Sequence, residues 1–288
     1  MKSICCIGHI TLDKIVTPVQ TRFLPGGTAY YCGHAMSRLS CGSKFHLVAG
    51  LAQSEMSAVE ELRRAGVNVK VVPSRKSIFF ENTYGENQNN RTQKVLSKAD
   101  AFTVDALKDI DADIFHLGSL LADDFPLEVF EMLSARGVLS VDAQGFLRQV
   151  VGEDVCSVDW KNKREFLKYV DILKVNEFEI KTLTGYSSPL DAGKQLAEWG
   201  VKESCITLGS YGSVIYCDGR SYTIPAYPIS QVVDATGCGD TYSAGYLYKR
   251  AQGCTPEESA HFASAMSAIK LQASGPFSAT EAEITKLM

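Results

Sequence analysis

The sequence predicts an α/β fold: one mostly parallel sheet covered by helices, with a small second sheet outside it. Two observations carry this. Short apolar runs alternate with helical patterns along the 288-residue chain, the order in which strands and crossover helices follow one another in a parallel sheet. One region, near residues 73–98, breaks the alternation with two strand patterns in succession. No repeat, low-complexity tract or interdomain linker divides the chain, so it reads as a single domain over 1–288 with lid segments near 14–25 and 73–98.

Composition bounds the function. At 45% hydrophobic and 22% charged residues the chain has the makeup of a soluble globular protein with ample core material. A formal charge of −4 gives no basic footprint, so nucleic acid is not an expected partner. The N-terminal apolar stretch ends by His9 and is too short for a signal peptide, and no run is long enough to span a bilayer. The nine cysteines form no Cys-x-x-Cys and mostly sit in apolar runs, which fits reduced core thiols in the cytoplasm. The five histidines, His9, His34, His46, His116 and His261, show no ligand spacing.

In chain order, strands are expected at 3–8, 45–50, 67–72, 113–118, 138–142, 172–176, 204–208 and 213–217. Helices are expected near 28–40, 55–65, 127–136, 177–185 and 190–199. Thr255-Pro256-Glu257-Glu258 offers a Thr cap, Pro at the first helical position and Glu at the third, launching an Ala- and Ser-rich helix to about Lys270. Segments 77–84 and 91–96 read as two strands around a polar turn at 85–90, and join 14–17 and 22–24 in the small sheet. Such a sheet can close over a site and exclude water.

The stretch from Val232 to Gly245 organises the site. A strand-like apolar approach leads into Asp234-Ala235-Thr236-Gly237-Cys238-Gly239-Asp240, and a helix follows from Thr241 to about Gln252, stopped by Gly253. The glycines let the backbone approach a ligand, and the amides of Gly237, Cys238, Gly239 and Asp240 lie at the positive end of the helix, where an anion is held. An aspartate beside a phosphate under transfer can take the proton of the attacking hydroxyl, which makes Asp240 the candidate base. A dinucleotide fingerprint is excluded because Tyr242 stands where its third glycine belongs, and no P-loop motif occurs.

Further pieces surround this one. Asp13 can accept hydrogen bonds from a polyol, and Gly26-Gly27-Thr28 opens a helix with approachable amides. Asn176 and Glu179 share a face at a strand end; they form a helix cap or hold magnesium through water. Thr207, Gly209 and Gly212 make a turn that can touch phosphates. Gln272–Pro276 is a loop whose carbonyls can hold a monovalent cation or border a purine. Arg148 follows the strand-end Asp142-x-Gln144 and can meet an anionic group or pair with a surface acid.

Taken together, these motifs resemble the ribokinase-like (PfkB-type) carbohydrate kinases over essentially the whole chain. The resemblance implies a three-layer α/β/α sandwich with a β-sheet lid. It implies Asp240 as catalytic base, with Gly237, Cys238 and Gly239 as the anion hole, and Asp234 in a potassium site. It makes Asn176 and Glu179 a magnesium and phosphate motif, and Thr207, Gly209 and Gly212 nucleotide contacts. Asp13, Gly26, Gly27, Thr28 and Arg148 fall on the substrate side. Where sugar-binding members have Gly-Gly-Asn, Thr28 removes an amide, which turns the expectation away from ribose. The implied activity is ATP- and magnesium-dependent phosphorylation of a hydroxyl on a sugar or sugar-like polyol, with potassium as a possible further cofactor. The alternatives are an inositol or nucleoside kinase of the same family, or a non-catalytic nucleotide- or sugar-binding regulator. A homodimer through the lid sheet is compatible with this pattern.

Overall fold

The computed structural model describes residues 1–84 and 91–288; the polar turn expected at 85–90 lies outside the described residues. In chain order the strands are β1 (Ile4–His9), β2 (Thr11–Val16), β3 (Thr21–Gly26), β4 (Phe45–Leu51), β5 (Asn68–Pro73), β6 (Phe79–Tyr84), β7 (Arg91–Ser97) and β8 (Ile114–Gly118). They continue with β9 (Val138–Asp142), β10 (Arg148–Val151), β11 (Asp154–Ser157), β12 (Ile172–Asn176), β13 (Glu203–Thr207), β14 (Ser213–Cys217) and β15 (Arg220–Ile224).

The main sheet runs β15-β14-β13-β12-β9-β8-β1-β4-β5. From β13 to β5 every pairing is parallel, and the β13-β14-β15 edge is antiparallel. Strands buried on both faces read as near-continuous apolar runs, and β1 shows why both faces are covered. Ile4 and Cys6 enter one core with the helices Thr28–Ser37, Met56–Arg64, Cys238–Ala251 and Pro256–Leu271. Cys5 and Ile7 enter the other, with Leu127–Ser134, Glu177–Thr184 and Pro189–Glu198. Alternate side chains of one apolar run thus enter two cores, which is the α/β/α layering. The helices Cys238–Ala251 and Pro256–Leu271 pack tightly because Gly245 has no side chain: a β-carbon there would fall 2.6 Å from Met266 Sδ.

The second sheet runs β10-β11-β7-β6-β2-β3 and is larger than expected. A single residue, Ile10, separates β1 from β2, so the chain passes straight from the main sheet into the lid. Asp13 is therefore a lid residue, paired with Leu24 on one side and Phe80 on the other. The β10-β11 hairpin was not anticipated; its signal was Val150-Val151-Gly152 ahead of Val155, with Gly152 at φ 64° in the turn. Ile78, Phe80, Val95, Leu120 and Leu121 form a small apolar cluster that seats the lid on the main body.

Two expectations are corrected. The approach through Val232 and Val233 is irregular rather than a strand, with these side chains 66% and 47% exposed. The helix that follows starts at Cys238 rather than Thr241, because Gly237 supplies a left-handed residue (φ 75°) that turns the chain into the helix earlier. Its far end is as expected. Gly253 has φ 90° and donates to Arg250, and Cys254 donates to Lys249, which closes the last turn. All nine cysteines are free thiols. Among the described residues, no helix is long and apolar enough to cross a membrane.

Candidate active site

The carboxyl ends of β9, β12 and β13 and the start of the helix Cys238–Ala251 face the lid across a cleft of about 310 Å³. Nine of the residues singled out from sequence line it: Asp13, Gly27, Thr28, Arg148, Asn176, Thr207, Gly237, Gly239 and Asp240. An adjoining cleft of about 330 Å³ shares Arg148 and Asn176 and adds Glu179. Gly26, Gly209, Gly212, Asp234 and Cys238 lie outside both linings. Gly26 is needed for its bareness, since a β-carbon there would fall 2.5 Å from Asp13 Oδ2. At Gly212 (φ 89°) a β-carbon would fall 2.0 Å from the Ile224 carbonyl, so packing of the hairpin turn accounts for that glycine.

One end of the cleft is the first turn of the helix Cys238–Ala251. Thr241 N–H donates to the Gly237 carbonyl at 2.9 Å, closing the turn. The Cys238 amide is already given to Ala235 at 3.2 Å. The first-turn amides with no acceptor inside the helix are therefore those of Gly239 and Asp240, with Gly237 just ahead of them. The Cys238 amide, expected in the anion hole, is thus engaged within the turn; its thiol is pushed up to about 12 by burial. The Tyr31 ring covers Gly237, where a β-carbon would meet Cδ1 at 2.3 Å.

Asp240, half-buried beside this turn, shares the cleft with the Thr28 side chain. Burial pushes its carboxyl up to about 6, and the Asp142 carboxylate adds to the rise. Lys174, the Thr28 side chain and Arg148 oppose it. A carboxylate that holds its proton near pH 6 is ionised at neutral pH yet far more basic than an ordinary aspartate, as a general base requires. Thr28, which stands where the resemblance led us to expect Asn, lines the same cleft as this carboxylate.

Sequence reasoning missed Lys174. It sits inside β12 with its side chain 7% exposed, and Nζ donates to Asp142 Oδ2 at 3.1 Å. Burial pushes the ammonium down, but Asp142 first, then Glu179 and Asp240, more than offset this and hold it firmly charged. The signal was a lysine in an otherwise apolar strand, Ile172-Leu173-Lys174-Val175. Beneath it His116 is buried, 3.0 Å from Ser140 Oγ, and burial lowers it to about 4, so it stays neutral. His9 is buried against Phe102 and the Asp100 carbonyl rather than facing the cleft.

Asn176 and Glu179 form a full capping box: Asn176 Oδ1 accepts from the Phe178 and Glu179 amides at 2.9 Å, and Glu179 Oε2 accepts from the Asn176 amide at 2.8 Å. The cap reading is what the geometry displays. Burial raises the Glu179 carboxyl, with the Lys174 ammonium opposing. On the lid, Gln93 Nε2 donates to Asn82 Oδ1 at 2.9 Å, and both amides line the cleft with Gln144.

The pattern of the pfkB family carbohydrate kinases matches residues 1–283. A cytidine kinase of Thermococcus kodakarensis is 27% identical over 90% of this chain and 92% of its own length. The structure of a pyrophosphate-dependent kinase in the ribokinase family, complexed with a pyrophosphate analog and myo-inositol, superposes with a TM-score of 0.87 at 28% identity, covering 99% of this chain and 100% of that one. Arabidopsis thaliana ribokinase, complexed with ribose and ATP, shares the fold at a TM-score of 0.79 and 20% identity, covering 99% and 98% of the two chains. With the lid sheet, the glycine-rich helix start and its adjacent carboxylate in place, this chain belongs to the pfkB family of carbohydrate kinases, a family of phosphotransferases.

Proposed function

We propose that this protein transfers a phosphoryl group from ATP to a hydroxyl of a small cyclic polyol of the inositol type. The observation that carries the acceptor class is the lining between Asp240 and the lid: Asp13, Asn82, Gln93, Gln144 and Arg148 present polar ends there. The Asn82–Gln93 bond holds two amides side by side, one able to donate and the other to accept, which suits neighbouring hydroxyls. Ile15, Tyr31, Phe80, Tyr84 and Leu120 also line the cleft, so a nucleoside, whose base calls for an apolar or aromatic slot, is the competing acceptor; the convergence of polar ends is what favours the polyol. The likeness to a kinase complexed with myo-inositol supports the same class.

In the proposed reaction, Asp240 accepts the proton of the attacking hydroxyl as its oxygen bonds to the terminal phosphorus and the bridging P–O bond to ADP breaks. The Gly239 and Asp240 amides and the Lys174 ammonium meet the charge that spreads over the phosphoryl oxygens. Lid contacts exclude water that would otherwise accept the phosphoryl group. Glu179, with one oxygen in the capping box and a place on the adjoining cleft, would hold hydrated magnesium, which needs few protein ligands. The bound ion would supply neutralisation of the donor's phosphates.

ATP is favoured as donor by the exposed Val232 and Val233, an apolar shelf close before the phosphate turn that a purine could cover. Pyrophosphate is the second reading, favoured by the likeness to the pyrophosphate-dependent kinase. The test is phosphorus NMR of product formation with each donor against inositols, hexoses, pentoses and nucleosides. Phosphorylated inositol from ATP is the expected result. Turnover of nucleosides alone would overturn the acceptor class, and turnover with pyrophosphate alone the donor. No turnover with any pair would favour the binding-only reading.

A further inference from the structure

The loop after the helix Pro256–Leu271 and the start of the Asp234–Asp240 loop close around a small polar point, and Lys270 fills it. Its side chain is 0% exposed. Nζ donates to the Asp234 carbonyl at 2.9 Å and to the Ala273 carbonyl at 3.3 Å, and lies 3.5 Å from Asp234 Oδ2. Two main-chain carbonyls and one carboxylate converging on a buried point form an all-oxygen set of single negative charge. That is the donor set of a monovalent cation, and it is where the sequence led us to expect potassium. The residues present do not fit that ion, because a tethered ammonium already takes both the space and the charge. An unpaired charge buried this deeply would be expelled, so the carbonyls and Asp234 are what keep it there. The C-terminal turn of its helix adds favourable partial charge.

We infer that Lys270 is a built-in substitute for a monovalent cation, positioning the phosphate turn and freeing the enzyme from any potassium requirement. The path from Lys270 to the turn is short. Asp234 Oδ1 accepts from the Thr236 amide at 2.9 Å, one residue before Gly237, and Oδ2 accepts from the Gly275 amide at 3.3 Å. Val233 N–H donates to the Leu271 carbonyl at 2.7 Å, tying the two loops together. Lys270 is a positioning residue: it acts through Asp234, behind the cleft surface.

The experiment compares wild type with Lys270→Met in potassium, ammonium, sodium and choline chloride at equal ionic strength, reading both the thermal midpoint and donor turnover. Only the turnover arm rests on the proposed kinase reading; the thermal arm stands without it. Wild type is expected to keep its midpoint within about 1 °C and its rate within about twofold in every salt. Lys270→Met is expected to be more than tenfold slower in choline. Potassium or ammonium should saturably restore both its rate and several degrees of its midpoint. A saturable rise in the wild-type midpoint with potassium would overturn the inference with no variant needed. So would a Lys270→Met protein that responds to potassium no more than wild type does. If Lys270→Met does not fold, Lys270→Gln takes its place under the same criteria.

Discussion

The Lys174 ammonium lies against the bare face of Gly239: a β-carbon on that glycine would fall 2.8 Å from Nζ. A fixed cation and the orphan amides of a helix start therefore share one spot, which is what a transferring phosphoryl group needs. Gly239→Ala should push the lysine tip off this spot, at the cost of straining its bond to Asp142. The expected outcome is a fall in kcat/KM of about 10- to 100-fold, with a smaller loss of thermal midpoint than Lys174→Met shows.

Removing the cation itself should act differently. Lys174→Met leaves Asp142, whose side chain is 5% exposed, charged and without its partner. Loss of one member of a buried pair typically costs about 3–5 kcal/mol, and the cleft's water should place this case at the low end. Adding Asp142→Asn should return much of the stability in urea titrations while turnover stays low. Full recovery of turnover in the double variant would show that the ammonium serves the fold alone.

Asp240 gives a pH signature of definite sign. Its carboxyl is raised in the folded state to about 6 from an ordinary value of 3.8, chiefly by burial. The folded protein therefore binds this proton more tightly than the unfolded chain does. Stability from this group falls as pH climbs between those values and stays lowered above them. Asp240→Asn should remove the penalty, stabilising the protein at neutral pH by on the order of 1 kcal/mol after allowance for solvent in the cleft. The midpoint difference between variant and wild type, followed from pH 4 to 8, checks both sign and window.

Gly237 meets two demands at once, a positive φ of 75° and the Tyr31 ring over its face. Gly237→Ala should cost about 1–3 kcal/mol of stability through backbone strain and displacement of that ring. It should also weaken donor binding by opening the turn. Tyr31→Ala, which relieves the clash alone, should recover only part of either loss when combined with it.

Much of this was legible in the sequence, for reasons particular residues make plain. The apolar run at Ile4–Ile7 and the capping box at Thr255 are local patterns, and the structure keeps both, the first as a strand buried on both faces. The glycine-flanked Asp240 loop was legible because only glycine tolerates those approaches. Lys174 was not, because its meaning lies in Asp142 across the sheet and Gly239 on a distant helix. Lys270 was hidden the same way, reading as one more polar residue at a helix end until its carbonyl partners came together. The β10-β11 hairpin was overlooked because its strands are short and pair with the lid rather than with the main sheet.

The most direct test of the central claim is acceptor-dependent ADP release by wild type and Asp240→Asn between pH 5 and 8. The account predicts that wild-type kcat/KM falls tenfold per unit below about pH 6, tracking the raised Asp240 carboxyl. It predicts a variant slower by about 10²- to 10⁴-fold that still binds nucleotide. A variant within tenfold of wild type, with the same acid limb, would contradict the assignment of Asp240 as the base.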